Sequence, residues 1–184
     1  MRINQIKNEE TISLSYLKNM LAENTKILIA DDDEAMRILL RDAITQWGYE
    51  VIEAKDGEEA WGIMKKSDAP RLIILDWRMP RMDGITLCEL IRQNLAFYPY
   101  IIFLSQVSGA SSIMRGLDAG ADEFLLKPVN FEELRTRIFA GERIIKFIKK
   151  NEEQKLKLEN CILYSRLLEQ LIILLSDKHE ETKN

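Results

Sequence analysis

The chain has one histidine, two cysteines, four prolines and eight glycines among 184 residues, and each scarcity removes a class of function. His179 is the only imidazole, so a histidine-based metal site or catalytic triad is essentially excluded. Cys88 and Cys161 are too few and too far apart for a disulfide framework or a zinc site. No apolar stretch approaches the roughly 20 residues needed to span a bilayer. The N-terminus also lacks the basic-then-apolar order of a signal peptide. With 26 basic and 30 acidic residues the net charge is −4, so no strong field invites nucleic acid or an anionic membrane. Neither a P-loop nor a G-x-G-x-x-G after a strand is present, which argues against a nucleotide cofactor. A reducing, cytoplasmic setting is expected.

What is present is an alternation. Short apolar runs, Ile27 to Ala30, Tyr49 to Ala54, Leu72 to Leu75, Tyr100 to Leu104 and Glu123 to Leu126, read as strands. Between them apolar residues recur at helical spacing, as in Met36, Leu39, Leu40, Ala43, Ile44 and Trp47. Gly48, Asp56-Gly57, Pro70, Asp83-Gly84, Pro99 and Gly120 punctuate the series. Asp33 reads as a helix cap and Asp83 as a turn residue. Five β-α units of this kind predict a parallel sheet with helices on both faces, and runs as apolar as Leu-Ile-Ile-Leu suit strands buried on both sides.

The two ends differ from the middle. Residues 1–24 form an expected N-terminal helical extension, with Ile12, Leu14, Leu17, Met20 and Leu21 spaced among polar residues. The domain of alternating elements is placed at 25–147. From Phe131 to about Ser176 there is no proline and only one glycine, Gly141, which is longer than a closing helix needs. A three-four spacing runs through Ile144, Phe147, Asn151, Gln154, Leu158, Cys161, Ser165, Leu168, Ile172 and Leu175, the spacing of a coiled-coil seam. Residues 148–184 are therefore expected to form a coiled-coil linker. Asn151 in the seam favours a parallel dimer in fixed register. No basic helix-turn-helix follows the domain, so direct DNA binding is not expected.

In a parallel sheet the chemistry gathers at the carboxyl ends of the strands. Asp31 and Asp32 follow the first strand, Asp76 the third, Ser105 the fourth and Lys127 the fifth. Three converging carboxylates repel unless a cation neutralises them, and hard oxygen ligands suit magnesium. Lys127 can pair with Asp76 or with a phosphate on it.

Three segments carry a resemblance: Ile27-Leu28-Ile29-Ala30-Asp31-Asp32-Asp33, the run from Leu75 through Asp76-Trp77-Arg78-Met79-Pro80 to Gly84, and the run from Gly116 through Phe124-Leu125-Leu126 to Lys127-Pro128. Over about 122 residues, Lys26 to Phe147, the chain resembles the receiver domains of two-component response regulators. The resemblance implies a flavodoxin-like doubly wound sheet of strand order 2-1-3-4-5. It implies that Asp76 accepts a phosphoryl group from a sensor histidine kinase or phosphotransfer protein. Mg²⁺ would be bound by Asp32, Asp76 and the backbone carbonyl of Arg78, with Asp31 acting mainly through water. Ser105 and Lys127 would each hydrogen-bond a phosphoryl oxygen, and the Lys127–Pro128 peptide would be cis. Phe124 matches the aromatic switch position.

Three residues depart from the family's pattern. Gln106 stands where Ala or Gly is usual, Arg78 stands where a hydrolytic water would approach, and Phe124 replaces a frequent tyrosine. The chain is thus expected to be a signalling module rather than an enzyme, its only catalysis being self-phosphorylation and self-dephosphorylation at Asp76. Its state would pass through a dimeric C-terminal helix to an output domain or partner. The alternative is a phosphorylation-independent dimerisation scaffold with the same fold.

Overall fold

The computed structural model describes residues 25–106 and 110–181, with side-chain surroundings for 25–106 and 113–169. The expected helical extension at 1–24 lies outside the described residues. Five strands, β1 Lys26–Ala30, β2 Glu50–Ala54, β3 Leu72–Asp76, β4 Tyr100–Ser105 and β5 Glu123–Leu126, alternate with five helices. These are α1 Glu34–Gln46, α2 Gly57–Met64, α3 Gly84–Asn94, α4 Ala110–Asp118 and α5 Phe131–Glu181. All neighbouring strands are parallel and their order is β2-β1-β3-β4-β5. This is the flavodoxin-like doubly wound arrangement.

The period-2 alternation of each strand sorts its side chains onto two faces. Leu28, Ala30, Ile73, Leu75, Ile101 and Phe103 pack with Met64 of α2 and with Leu87, Cys88 and Ile91 of α3. Ile27, Ile29, Leu72, Ile74, Ile102 and Leu104 pack on the other face with Leu40 and Ile44 of α1 and with Leu134 and Ile138 of α5. β3 and β4 are buried along their whole length, whereas β2 and β5, at the edges, are only partly covered. That explains why the central runs are so uniformly apolar.

The helix starts obey local chemistry. Asp33, Asp56 and Asp83 each sit at an N-cap in extended backbone, their carboxylates accepting N–H groups of the first turn. Asp83 is therefore a cap as well as the turn residue its Asp-Gly pair predicts. The chain divides between Ile145 and Lys146 into two compact units. In the second unit every described side chain from 149 to 169 is exposed, and Lys155 and Glu159 form a loose i,i+4 pair at 4.0 Å.

Candidate phosphoacceptor and metal site

Register brings the polar residues together. Ala30 pairs with Leu75, so Asp31 and Asp76 leave adjacent strands side by side. Asp76 pairs with Leu104 and Ser105 with Leu126, which places Ser105 and Lys127 at the same edge. Two backbone bonds extend this order beyond the strands: Trp77 N–H donates to the Leu104 carbonyl at 3.0 Å, and Lys127 N–H to the Ser105 carbonyl at 2.8 Å. The Lys127–Pro128 peptide is cis.

Asp31 and Asp76 are buried, and Asp32 is exposed. Each offers one carboxylate oxygen within 4.8 Å of the other two. The Lys127 ammonium lies between two of them, 2.8 Å from Asp31 Oδ2 and 2.6 Å from Asp76 Oδ1. The Arg78 N–H donates to Asp76 Oδ2 at 3.2 Å, which holds the second oxygen. Asp31 is braced from behind: the Arg37 guanidinium donates to its carbonyl at 2.7 Å, and the Asp33 N–H to its Oδ1 at 3.0 Å. Asp32, Asp76, Arg78, Ser105, Gln106 and Lys127 line one open cleft.

Burial pushes the Asp76 carboxyl above its ordinary value. The Lys127 hydrogen bond pulls the other way, and the charge of Asp31 adds to the rise. Burial alone would lower Lys127, but its hydrogen bonds to Asp31 and Asp76 outweigh it and the ammonium is held above its ordinary value. The two directions are compatible. One ammonium faces two carboxylates and is over-compensated, while Asp76 shares that ammonium with a like charge. A divalent cation fits this donor set: hard oxygens, an excess of negative charge, and one exposed carboxylate opening onto solvent.

Phe124 is half-buried, its ring edge-on to Trp77 at 6.0 Å between centroids, with Trp77 in turn 5.5 Å from Phe103. Gly116 of α4 makes room for this cluster, since a Cβ there would stand 3.1 Å from Trp77 and 3.5 Å from Phe124. The motif residues Asp31, Asp32, Asp76, Ser105 and Lys127 are thus brought to one edge of the sheet. Phe124 does not line their cleft and packs on Trp77 instead. Reading by motif passed over Arg37, Asp56, Trp77 and Arg81. Trp77 and Arg37 lie within or beside the motifs, where only their side-chain contacts distinguish them. Asp56 was legible as a turn residue but not as a fully buried acid.

Comparison with known proteins agrees with this geometry. Residues 27–139 match the response regulator receiver domain family. The PhoP alkaline phosphatase synthesis transcriptional regulatory protein of Bacillus subtilis is 37% identical over 119 residues, 64% of this chain and 48% of that protein. The response regulator MprA of Mycolicibacterium vanbaalenii is 41% identical over 115 residues, 62% of this chain and 49% of that protein. The chain thus spans about half the length of these relatives. The expectation of no direct DNA contact draws no support from them, since PhoP is named a transcriptional regulatory protein. Among solved structures, the receiver domain of the Francisella response regulator 1452 superposes with a TM-score of 0.61 at 31% identity, covering 65% of this chain and 98% of that one. The Vibrio cholerae chemotaxis protein CheY4 superposes with a TM-score of 0.59 at 30% identity, covering 64% and 98%. No helix among the described residues is long and apolar enough to cross a membrane. From the strand order, the acid cluster with its bridging lysine, and the family match over 27–139, the chain belongs to the response regulator receiver domain family.

Proposed function

We propose that this chain is a phosphorylation-controlled signalling module of the cytoplasm, with Asp76 as its phosphoacceptor. The observation that carries the reading is the Lys127 ammonium set between Asp31 and Asp76, beside an exposed third carboxylate. The donor is the phosphohistidine of a sensor histidine kinase or phosphotransfer protein. An Asp76 oxygen attacks phosphorus in line as the P–N bond breaks. The electron pair returns to the imidazole nitrogen, which takes a proton, and an acyl phosphate remains. Asp32, Asp76 and the Arg78 carbonyl would hold Mg²⁺, with Asp31 acting mainly through water, and the bound ion would offset charge on the phosphoryl oxygens. Lys127 exchanges its hydrogen bond to Asp76 for one to a phosphoryl oxygen. The Ser105 hydroxyl donates to another, and its displacement lets Phe124 turn inward. The receiver is assigned to residues 25–147.

Residues 148–184 are assigned to a coiled-coil linker that passes the state to an output domain or partner as a homodimer. Leu156, Leu158, Ile162, Leu163, Tyr164, Leu167 and Leu168 support this part, each being 46–67% exposed in the single chain. Such a density of apolar surface on one helix calls for a partner.

The test is direct. Purified protein with Mg²⁺ and acetyl phosphate should gain one phosphoryl group by intact mass, and Asp76→Asn should gain none. Beryllofluoride with Mg²⁺ should change the tryptophan fluorescence of the wild type only. A wild type that stays unmodified and unchanged supports the phosphorylation-independent scaffold instead.

A further inference from the structure

The connection from β3 to α3 carries Arg78 at one end and the capping Asp83 at the other. Between them Arg81 holds a φ of 67° and is the only non-glycine residue in the left-handed region among those described. A long side chain there strains the backbone, so something must hold it. Its guanidinium forms an ion pair with Oδ2 of Asp56, a carboxylate with no exposed surface. The other Asp56 oxygen accepts the Glu59 N–H at 2.9 Å, and Oδ2 makes no hydrogen bond beyond the ion pair. Alongside, Gly57 lies so close beneath Met82 that a Cβ would meet the Met82 carbonyl oxygen and stand 2.8 Å from its Cβ. The loop is therefore gripped twice against the start of α2, by charge at Arg81 and by close packing at Met82. Its ends are closed on each other by the Gly84 N–H, which donates to the Trp77 carbonyl at 3.0 Å, and tied to the end of β3 by the Arg78 N–H, which donates to Asp76 Oδ2 at 3.2 Å. The loop cannot lift without leaving a buried carboxylate uncompensated, which is strongly unfavourable.

We propose that Arg81 is a positioning residue for the phosphoacceptor site. Acting through Asp56, it fixes the loop that carries the Arg78 N–H bonded to Asp76 and the Arg78 carbonyl that would take the cation. The proposal rests on the reading of Asp76 and the Arg78 carbonyl given above. The strain at Arg81 is the cost of placing its guanidinium over Asp56, and glycine would remove the strain while losing the clamp.

The test is Mg²⁺ affinity of the full chain by calorimetry, beside melting temperature, for wild type, Arg81→Gln, Arg81→Gly, Asp56→Asn and the Asp56→Asn/Arg81→Gln double variant. Arg81→Gln and Arg81→Gly should each weaken Mg²⁺ binding about tenfold or more, as loss of an outer partner of a metal site does. Arg81→Gly should do so with the smaller loss of melting temperature. The double variant should match the single ones, because both substitutions break one link. Arg92→Gln, which removes the guanidinium hydrogen bonds to the Pro99 and Gly120 carbonyls and to Asp122 at the amino ends of β4 and β5, should lower the melting temperature and leave Mg²⁺ affinity unchanged. Unaltered affinity in both Arg81 variants overturns the proposal, as does a loss in Arg92→Gln that follows melting temperature equally well. A wild type that binds no Mg²⁺ and ignores beryllofluoride refutes instead the phosphoacceptor reading beneath it.

Discussion

At the scale of single residues, the acid cluster is a place where the fold works against itself. Asp76 is buried beside Asp31, and one ammonium serves both. Because burial raises its folded value above that of the unfolded chain, the native state binds this proton more tightly than the unfolded state. Its contribution to stability is present at acid pH and is lost as pH rises through the raised value. At neutral pH the metal-free protein therefore carries a charge that opposes folding, and Asp76→Asn does not. Without Mg²⁺, Asp76→Asn should melt higher than the wild type at pH 7, by about 4 °C for each kcal/mol relieved in a domain of this size. The gap should close toward pH 3 and should shrink when Mg²⁺ is added to the wild type. Thermal melts from pH 3 to 8, with chelator and with Mg²⁺, measure it. A variant that melts lower than the wild type at every pH would show that Asp76 is held by its partners more than it is opposed by its burial.

At the scale of elements, punctuation made the strands legible. Pro99 stands directly before β4, Asp83 caps α3 and Gly120, at a φ of 100°, follows α4, so chain chemistry fixes where these elements stop and start. Faces were harder. Leu39 reads as part of the apolar stripe of α1 yet is 56% exposed, because α1 meets the sheet through the buried Leu40 and Ile44, with Met36 partly buried beside them. Gly141 reads only as an interruption in a long helix. Its role lies in Tyr100 of β4, whose ring carbon Cε1 would stand 2.7 Å from an added Cβ. Next to it, buried Glu142 accepts the Tyr49 hydroxyl at 3.1 Å, and burial pushes that phenol upward so that it remains a donor. In an open helix Gly→Ala is stabilising by roughly 0.5–1 kcal/mol. Here the methyl must enter occupied space, and Gly141→Ala should instead destabilise by about 1–3 kcal/mol. Urea unfolding of the two proteins decides it, and a stabilised variant would mean that α5 yields easily at Tyr100.

At the scale of the whole molecule, a parallel order turns five separate strand ends into one edge. That is why three motifs scattered over Ile27 to Pro128 read as a single site in the sequence alone. What stayed hidden was contact between segments with no shared pattern. Asp56 and Arg81 are distant in sequence and belong to different turns, and Trp77 meets Phe124 only because α4 offers Gly116. No periodicity encodes such pairs. The proposed dimer stands on another footing, since the heptad spacing is local and the apolar residues of 156–168 are exposed in the single chain. Two-stranded pairing would bury the seam residues Leu158 and Leu168, so one charge placed there costs both chains at once. The full chain should sediment as a dimer, Leu158→Glu as a monomer that still takes a phosphoryl group on Asp76, and Asp76→Asn as a dimer indifferent to beryllofluoride. Sedimentation equilibrium with and without beryllofluoride and Mg²⁺ separates these outcomes. A wild type that stays monomeric at high concentration in both states would remove the coiled coil from the proposed function and leave the phosphoacceptor untouched.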